Sequence, residues 1–77
     1  VGVMGILKAT RRKLAADEAV PAYIIFHDTT LKAMAREKPT DLVSFARLPG
    51  VGEIRLRKFG PTFIRVIKQY LDQANET

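Results

Sequence analysis

The chain has 77 residues and a formal net charge of +5, and 47% of its residues are hydrophobic. That length fits one small domain, and no apolar run reaches the 18 or so residues that a membrane-spanning helix needs. Because there is no cysteine, disulfide bonds and thiolate metal sites are excluded. The first residues lack the basic segment and cleavage site of a signal peptide, so we expect an intracellular protein.

Basic charge is concentrated towards the two ends of the sequence. Residues 1–16 carry four basic and no acidic side chains, and residues 55–77 carry five basic and two acidic ones. The segment between them carries four basic and six acidic side chains. If the two basic segments lie side by side, they form a face that attracts polyanions weakly and in a salt-dependent manner. The alternative is a basic face that only keeps the protein soluble.

Apolar residues recur at a spacing near 3.6, which predicts an all-α protein. Proline, glycine and N-cap residues mark the boundaries between the helices. The result is a compact five-helix bundle with helices over about residues 4–17, 29–38, 41–48, 52–59 and 61–74. The side chains predicted to face its core include Leu7, Leu31, Met34, Leu42, Phe45, Leu48, Leu56, Phe59, Phe63 and Ile67.

The boundaries between these helices rest on a few residues. Residues 20–26 (VPAYIIF) have a strand-like composition, but no second run could pair with them. We therefore predict a buried extended or single-turn connector there. Asp28 and Thr40 are predicted to be N-caps, Gly60 to end the fourth helix, and Pro61 to stand in the first turn of the last.

LPGVG, at residues 48–52, predicts a turn like that of helix-hairpin-helix modules. Glycine permits positive φ, and the first amides of the next helix are unpaired, so Gly50 and Gly52 are candidates to present amides to a phosphate. The alternative is that the glycines only allow two helices to turn sharply. Glu53 favours this alternative, because its carboxylate would compete with a phosphate at the helix start.

Enzymatic sites find little support in the sequence. It contains one histidine and no GxSxG, HExxH or Walker pattern. We therefore predict a module without a catalytic residue, a cofactor or a metal site, and we interpret His27 as a surface or boundary histidine.

The candidate nucleic-acid-binding residues are one tyrosine and seven basic side chains. Tyr23 could stack on an unpaired base, or it could belong to the core like the apolar residues Ile24, Ile25 and Phe26 that follow it. The basic candidates are Lys8, Arg11, Arg12 and Lys13 in the first helix, and Arg55, Arg57 and Lys58 after the hairpin.

Two segments of the chain, in this order, resemble the HRDC domain (helicase and RNase D C-terminal). They are PAYIIFHDTTLKAMAREKPTD (residues 21–41) and LPGVGEIRLRKFG (residues 48–60). This domain is found in RecQ-family DNA helicases and in RNase D, and the likeness is strongest to bacterial RecQ. The resemblance implies a bundle of about five helices and divides the chain into a linker or N-terminal extension (1–6), the domain (7–74) and a C-terminal tail (75–77).

The resemblance also implies a function. It suggests a monomeric accessory and regulatory module of a RecQ-like helicase in DNA repair and recombination, located in the bacterial cytoplasm with the nucleoid. Such a module binds single-stranded or branched DNA weakly, with Tyr23 at the family's Pro-x-Tyr position and residues 11–13 at the basic end of the first helix.

Two alternatives remain open. The domain could dock against the helicase core, another domain of the same chain or another protein, with little affinity for DNA; Ile54, expected to be exposed, could make such a contact. It could also be the RNA-binding HRDC domain of an RNase D-like exonuclease. No membrane partner is expected.

Overall fold

Five helices form the fold in the computed structural model, which describes residues 2–74. In chain order they are α1 (Val3–Glu18), α2 (Ala22–Ile25), α3 (Asp28–Glu37), α4 (Leu42–Ala46) and α5 (Gly52–Ala74). α1 packs against α2, α3 and α5, and α4 packs against α5. No strand occurs within the described range, so the predicted all-α class and the number of helices are confirmed. Over the same range, no helix combines the length and apolar composition needed to cross a membrane.

The helix boundaries differ from the predicted ones in the second half of the chain. α5 continues through Gly60 and Pro61, where we predicted the end of one helix and the start of the next. Pro61 removes one helical hydrogen bond, and its ring crowds the preceding turn. The helix persists because Phe59 and Phe63, on either side of the proline, are both buried in one core. The count stays at five because residues 22–25, in the predicted connector, form a helix of one turn.

Four phenylalanine rings form the centre of the core. The ring of Phe26, just after α2, meets the rings of Phe45, Phe59 and Phe63 edge to face. The centroid distances are 5.9, 6.1 and 5.3 Å, respectively. Edge-to-face pairs contribute about 0.5–1.5 kcal/mol beyond their buried area. Phe26 therefore joins the α2–α3 junction to both α4 and α5.

Two aliphatic side chains predicted to be buried are exposed instead. Ile24 keeps 40% of its surface exposed, because a helix of one turn has a single inward side and Ile25 occupies it. Leu42 is 50% exposed, because it begins the short helix α4, in which Phe45 takes the buried position. Ile54 is 70% exposed, as the sequence led us to expect.

Both predicted N-caps are wrong in detail. Asp28 is the first residue of α3, and its carboxylate forms an ion pair with Arg11 instead of capping the helix. α4 is capped by Asp41, not by Thr40, and the Asp41 carboxylate accepts hydrogen bonds from the amide and hydroxyl of Ser44 at 2.8 and 3.2 Å. The bond from the Ser44 amide is the main reason that the pKa of Asp41 lies below its ordinary value.

The LPGVG segment forms the turn between α4 and α5. Gly50 and Gly52 have φ angles of +78° and +68°, in the left-handed region. The buried hydroxyl of Thr30 donates a hydrogen bond of 2.7 Å to the carbonyl of Pro49, which attaches the turn to α3. The two glycines therefore provide the positive φ angles that the turn requires. This agrees with the alternative that they allow two helices to turn sharply.

Replacing Gly50 by alanine should destabilise the protein more than replacing Gly52. Each change places a Cβ on a left-handed residue, which costs about 1–2 kcal/mol. A Cβ at position 50 would also lie 2.7 Å from the Thr30 hydroxyl, whereas a Cβ at position 52 meets nothing within 4 Å. We expect Gly52→Ala to lower the free energy of unfolding by about 1–2 kcal/mol and Gly50→Ala by roughly 2–4 kcal/mol, measured by urea denaturation. Equal losses would contradict the clash.

Candidate nucleic-acid interface

α1 presents three basic side chains to solvent. Lys8 and Arg12 are four residues apart and so lie about 40° from each other around the helix axis, whereas Lys13 lies about 100° beyond Arg12. All three are exposed, and none has a carboxylate within ion-pair distance in the described part of the chain. Lys8 and Arg12 occupy the flank of α1 nearer to Arg11, and Lys13 occupies the other flank.

Arg11 lies mostly beneath the surface, with 12% of its side chain exposed. Its Nη1 atom donates hydrogen bonds to the carbonyl of Phe26 at 2.9 Å and to Oδ1 of Asp28 at 2.8 Å. Arg11 therefore fastens α1 to the junction of α2 and α3, and Asp28 compensates its charge. To contact a phosphate, as the sequence suggested, it would have to leave this ion pair.

The carboxylate of Asp28 lies among cations. The hydrogen bond from Arg11 and the charge of Arg11 are the main reasons that the pKa of Asp28 lies below its ordinary value of 3.8, and Lys8 and Lys32 lower it further. The sequence prediction missed Lys32. Its position one turn after Asp28, on the outer side of α3, is the only signal that could have indicated it.

The ion pair of Asp28 should make part of the stability pH-dependent. Because its pKa is lowered in the folded state, the ionised carboxylate stabilises the fold above the unfolded pKa, near 3.8. This contribution is lost as the pH falls through the lower folded pKa. We expect Asp28→Asn to reduce the Tm slightly at pH 7 and by less at about pH 2; the effect is small because the Asp28 carboxylate is largely exposed.

Thermal unfolding followed by circular dichroism at both pH values tests this expectation. Asp72→Asn is the matched control, because Asp72 is exposed and has no ion-pair partner among residues 2–74. A reduction of the Tm by Asp28→Asn that is as large at low pH as at pH 7 would contradict the role of the carboxylate charge.

Tyr23 is an exposed aromatic residue. Its side chain projects from the one-turn helix α2, and 55% of its surface is accessible to solvent. Its ring lies 6.0 Å from the ring of His27, tilted by 33°. The alternative that Tyr23 belongs to the core is therefore wrong, and the ring is exposed to solvent beside His27, the residue that precedes Asp28.

Two cations after the hairpin connect α5 to the first two helices. Nε of Arg55 donates a hydrogen bond of 3.0 Å to the carbonyl of Ile24 in α2. Nζ of Lys58 lies 3.1 Å from Oε1 of Glu18 at the end of α1. The fold thus brings the basic start of α5 next to α2, which carries Tyr23.

Arg57 and the hairpin glycines are arranged differently. Arg57 lies about 160° from Arg55 around α5, and its guanidinium is 3.6 Å from the Glu53 carboxylate. Glu53 stands in the first turn of α5, directly after Gly52, so a negative charge already lies beside the free amides.

Within residues 2–74 no three histidine, aspartate or glutamate side chains are grouped as metal ligands would be.

The chain is similar to domains of known DNA helicases. The family model of the HRDC domain matches residues 2–67. The ATP-dependent DNA helicase RecQ of Haemophilus influenzae is 38% identical over 64 residues, which are 83% of this chain and 10% of that protein. The ATP-dependent DNA helicase UvrD2 of Mycobacterium tuberculosis (strain H37Rv) is 36% identical over 62 residues, 80% of this chain and 9% of that protein.

A solved structure shares the fold. The chain superposes on the D. radiodurans RecQ HRDC domain 3 with a TM-score of 0.88 and 31% sequence identity. The superposition covers 91% of this chain and 92% of that chain. By contrast, the chain spans about a tenth of the length of the curated helicases that it matches.

Proposed function

The chain belongs to the HRDC domain family, and from this we propose that it is an accessory, non-catalytic module of a RecQ-like DNA helicase that binds single-stranded or branched DNA weakly. The observation that carries the proposal is the exposed ring of Tyr23 on α2, which packs against α1, together with Lys8 and Arg12 on α1, which have no partner carboxylate within residues 2–74. Cations bind the phosphates of any strand, and an aromatic ring binds the face of any unpaired base.

Two groups of contacts would act together in this proposal. Lys8 and Arg12 attract the phosphates, and Lys32 adds a charge from α3. Tyr23 then distinguishes a single strand from a duplex, because only an unpaired base can leave its neighbours and stack on a side chain. Arg11 acts mainly as a positioning residue, since its bonds to Phe26 and Asp28 hold the α2–α3 junction against α1. Substrate choice by the whole enzyme would follow from this preference for unpaired bases.

The relatives favour DNA over RNA as the ligand. RecQ and UvrD2 are both named as DNA helicases, and the similar solved domain comes from a RecQ protein. An exonuclease parent acting on RNA therefore has less support than a helicase parent. The module would act where bacterial DNA is unwound, in the cytoplasm at the nucleoid, and take part in repair and recombination.

The salt dependence of DNA binding tests the proposal. We expect wild type to bind a labelled single strand at about 50 mM salt and to bind much more weakly at about 200 mM, with a slope near −0.7 for each phosphate contact. The double variant Lys8→Ala/Arg12→Ala should reduce that slope by about 1.4 and weaken binding at the lower salt concentration. Fluorescence anisotropy titrations provide both quantities.

The matched control is the double variant Arg65→Ala/Lys68→Ala. It removes the same charge from exposed positions in the second half of α5. We expect its binding curve to stay close to that of wild type. Equal losses in the two double variants would mean that only net charge matters, and no binding at the lower salt concentration would overturn the proposal.

A second candidate function is docking against the helicase core, another domain or a separate protein. It is favoured by an apolar surface on α4, where Leu42 and Val43 are exposed beside a groove of about 500 Å³ that also contains Pro61 and Ile64. This surface lies on the α4 side of α5, away from the α2 side. Two results together would support docking: wild type shows no affinity for DNA, and Leu42→Asp abolishes binding to the helicase core, the other domain or the separate protein.

A further inference from the structure

A groove of about 380 Å³ lies between α2 and the first turns of α5. Two of its apolar side chains, Ile24 and Ile54, are 40% and 70% exposed to solvent. Ile24 directly follows the exposed Tyr23 in the one-turn helix α2, and Tyr23 itself does not line the groove. The apolar lining consists of Val20, Ile24, Ile25, Ile54 and Phe59, and the charged lining consists of Glu18, Arg55 and Lys58.

The edge of the groove favours an anionic ligand. The edge carries two cations, Arg55 and Lys58, and one carboxylate, that of Glu18. Each cation has N–H donors without a partner among the described residues. Arg55 uses Nε for the carbonyl of Ile24, whereas its two terminal nitrogens have no partner among the described residues. Lys58 lies 3.1 Å from Glu18, and an ammonium group has three N–H donors, so two remain. A phosphate could therefore bind at this edge while the bond from Arg55 to α2 stays in place.

We propose that this groove is a second nucleotide subsite, which holds one unpaired base of the strand that stacks on Tyr23. Aliphatic side chains enclose the base, as apolar residues do in pockets that receive flipped bases. Arg55 and Lys58 contact the adjoining phosphates. The inference rests on the proposed DNA-binding function and extends it, because it gives the strand a path from α1 over α2 to α5.

This path gives an approximate length for the bound strand. Lys8 and Glu18 are ten residues apart on α1, so the path along that helix is about 15 Å long. At the 3.4 Å spacing of stacked nucleotides, it corresponds to about four nucleotides. A strand that keeps the stacked spacing therefore needs about four nucleotides to reach both the α1 cations and the groove, and an extended strand needs fewer.

The methyl resonances of isoleucine report on the groove directly. We expect the δ1 methyl signals of Ile24 and Ile54 to move upfield when a thymidine oligonucleotide of about 12 nucleotides is added, since a base placed over a methyl group shifts its resonance. Ile64 and Ile67 are buried on other sides of α5, and their signals should not move. An abasic oligonucleotide of the same length, which carries the phosphates alone, should leave all four signals in place.

An affinity measurement accompanies the spectra. Ile54→Ala should weaken binding of the same thymidine oligonucleotide about three- to tenfold without changing the salt slope, because it removes apolar contact and no charge. Val43→Ala, which shortens an exposed side chain on α4, is the control and should bind like wild type.

Failure of the subsite and failure of DNA binding give different results. If wild type binds the oligonucleotide and Tyr23→Ala weakens that binding while the signals of Ile24 and Ile54 stay unmoved, the subsite is wrong and the groove is left to a protein partner. If wild type binds no DNA at about 50 mM salt, the proposed function and the subsite are both overturned.

Discussion

Phe26→Ala is expected to lower the free energy of unfolding by about 3–5 kcal/mol, the range for removing a phenylalanine side chain from a core. Phe26 is completely buried and meets three other phenylalanine rings, so no single neighbour can fill the space that it leaves. At about 0.05–0.15 kcal/mol per residue, a chain of 77 residues has a total stability of roughly 4–12 kcal/mol. The variant should therefore unfold at a much lower urea concentration and be partly unfolded without denaturant if the total is near the lower limit.

Urea denaturation followed by the helical circular dichroism signal measures this loss. Phe26→Leu retains most of the volume and should cost less than about 1.5 kcal/mol. Val43→Ala changes an exposed side chain and should stay within about 0.5 kcal/mol of wild type. A loss below about 1 kcal/mol for Phe26→Ala would show that the four rings do not form a cooperative core.

Tyr23→Ala is expected to weaken binding to single-stranded DNA more than any other single substitution at the proposed interface. Stacking of one base on an aromatic ring contributes about 1–3 kcal/mol, which corresponds to roughly a 5- to 150-fold loss of affinity. Binding to duplex DNA should change much less, because paired bases cannot stack on the ring. The affinities come from anisotropy titrations of matched single-stranded and duplex oligonucleotides at one salt concentration.

Two variants show whether the ring is responsible for this effect. Tyr23→Phe preserves the aromatic face and should bind single strands within about twofold of wild type, if the hydroxyl makes no contact with DNA. Leu42→Ala removes apolar surface from α4 and should leave DNA binding unchanged. Because Tyr23 is more than half exposed, Tyr23→Ala should also keep its helical signal. Equal losses on single-stranded and duplex DNA would remove the stacking role.

Local sequence rules predicted those parts of the fold that local interactions determine. α1, α3 and the LPGVG turn follow from apolar spacing, a proline break and glycines at positive φ. The same rules failed at Gly60 and Pro61, where a local boundary signal competes with packing between distant residues. Phe59 and Phe63, on either side of the proline, both meet the ring of Phe26, and the sequence contains no local trace of those contacts.

The candidate site shows the same division between local and distant interactions. Composition and the Pro-x-Tyr pattern selected Tyr23 and the cations of α1 as candidates. They could not show that Arg11 lies against an acid 17 positions later, or that Lys58 lies against an acid 40 positions earlier. Counting charges along a chain treats each cation as free, and pairing in three dimensions decides which of them are available.

Under the proposed function, these pairings would also affect how long a strand stays bound. A phosphate that reaches Arg11 would have to replace the Asp28 carboxylate, which remains attached nearby and can return as soon as the phosphate moves away. Internal competition of this kind raises the dissociation rate more than it slows association. The domain would then hold a strand for a short residence time and release it without a separate conformational step, which suits contact with DNA that is moving.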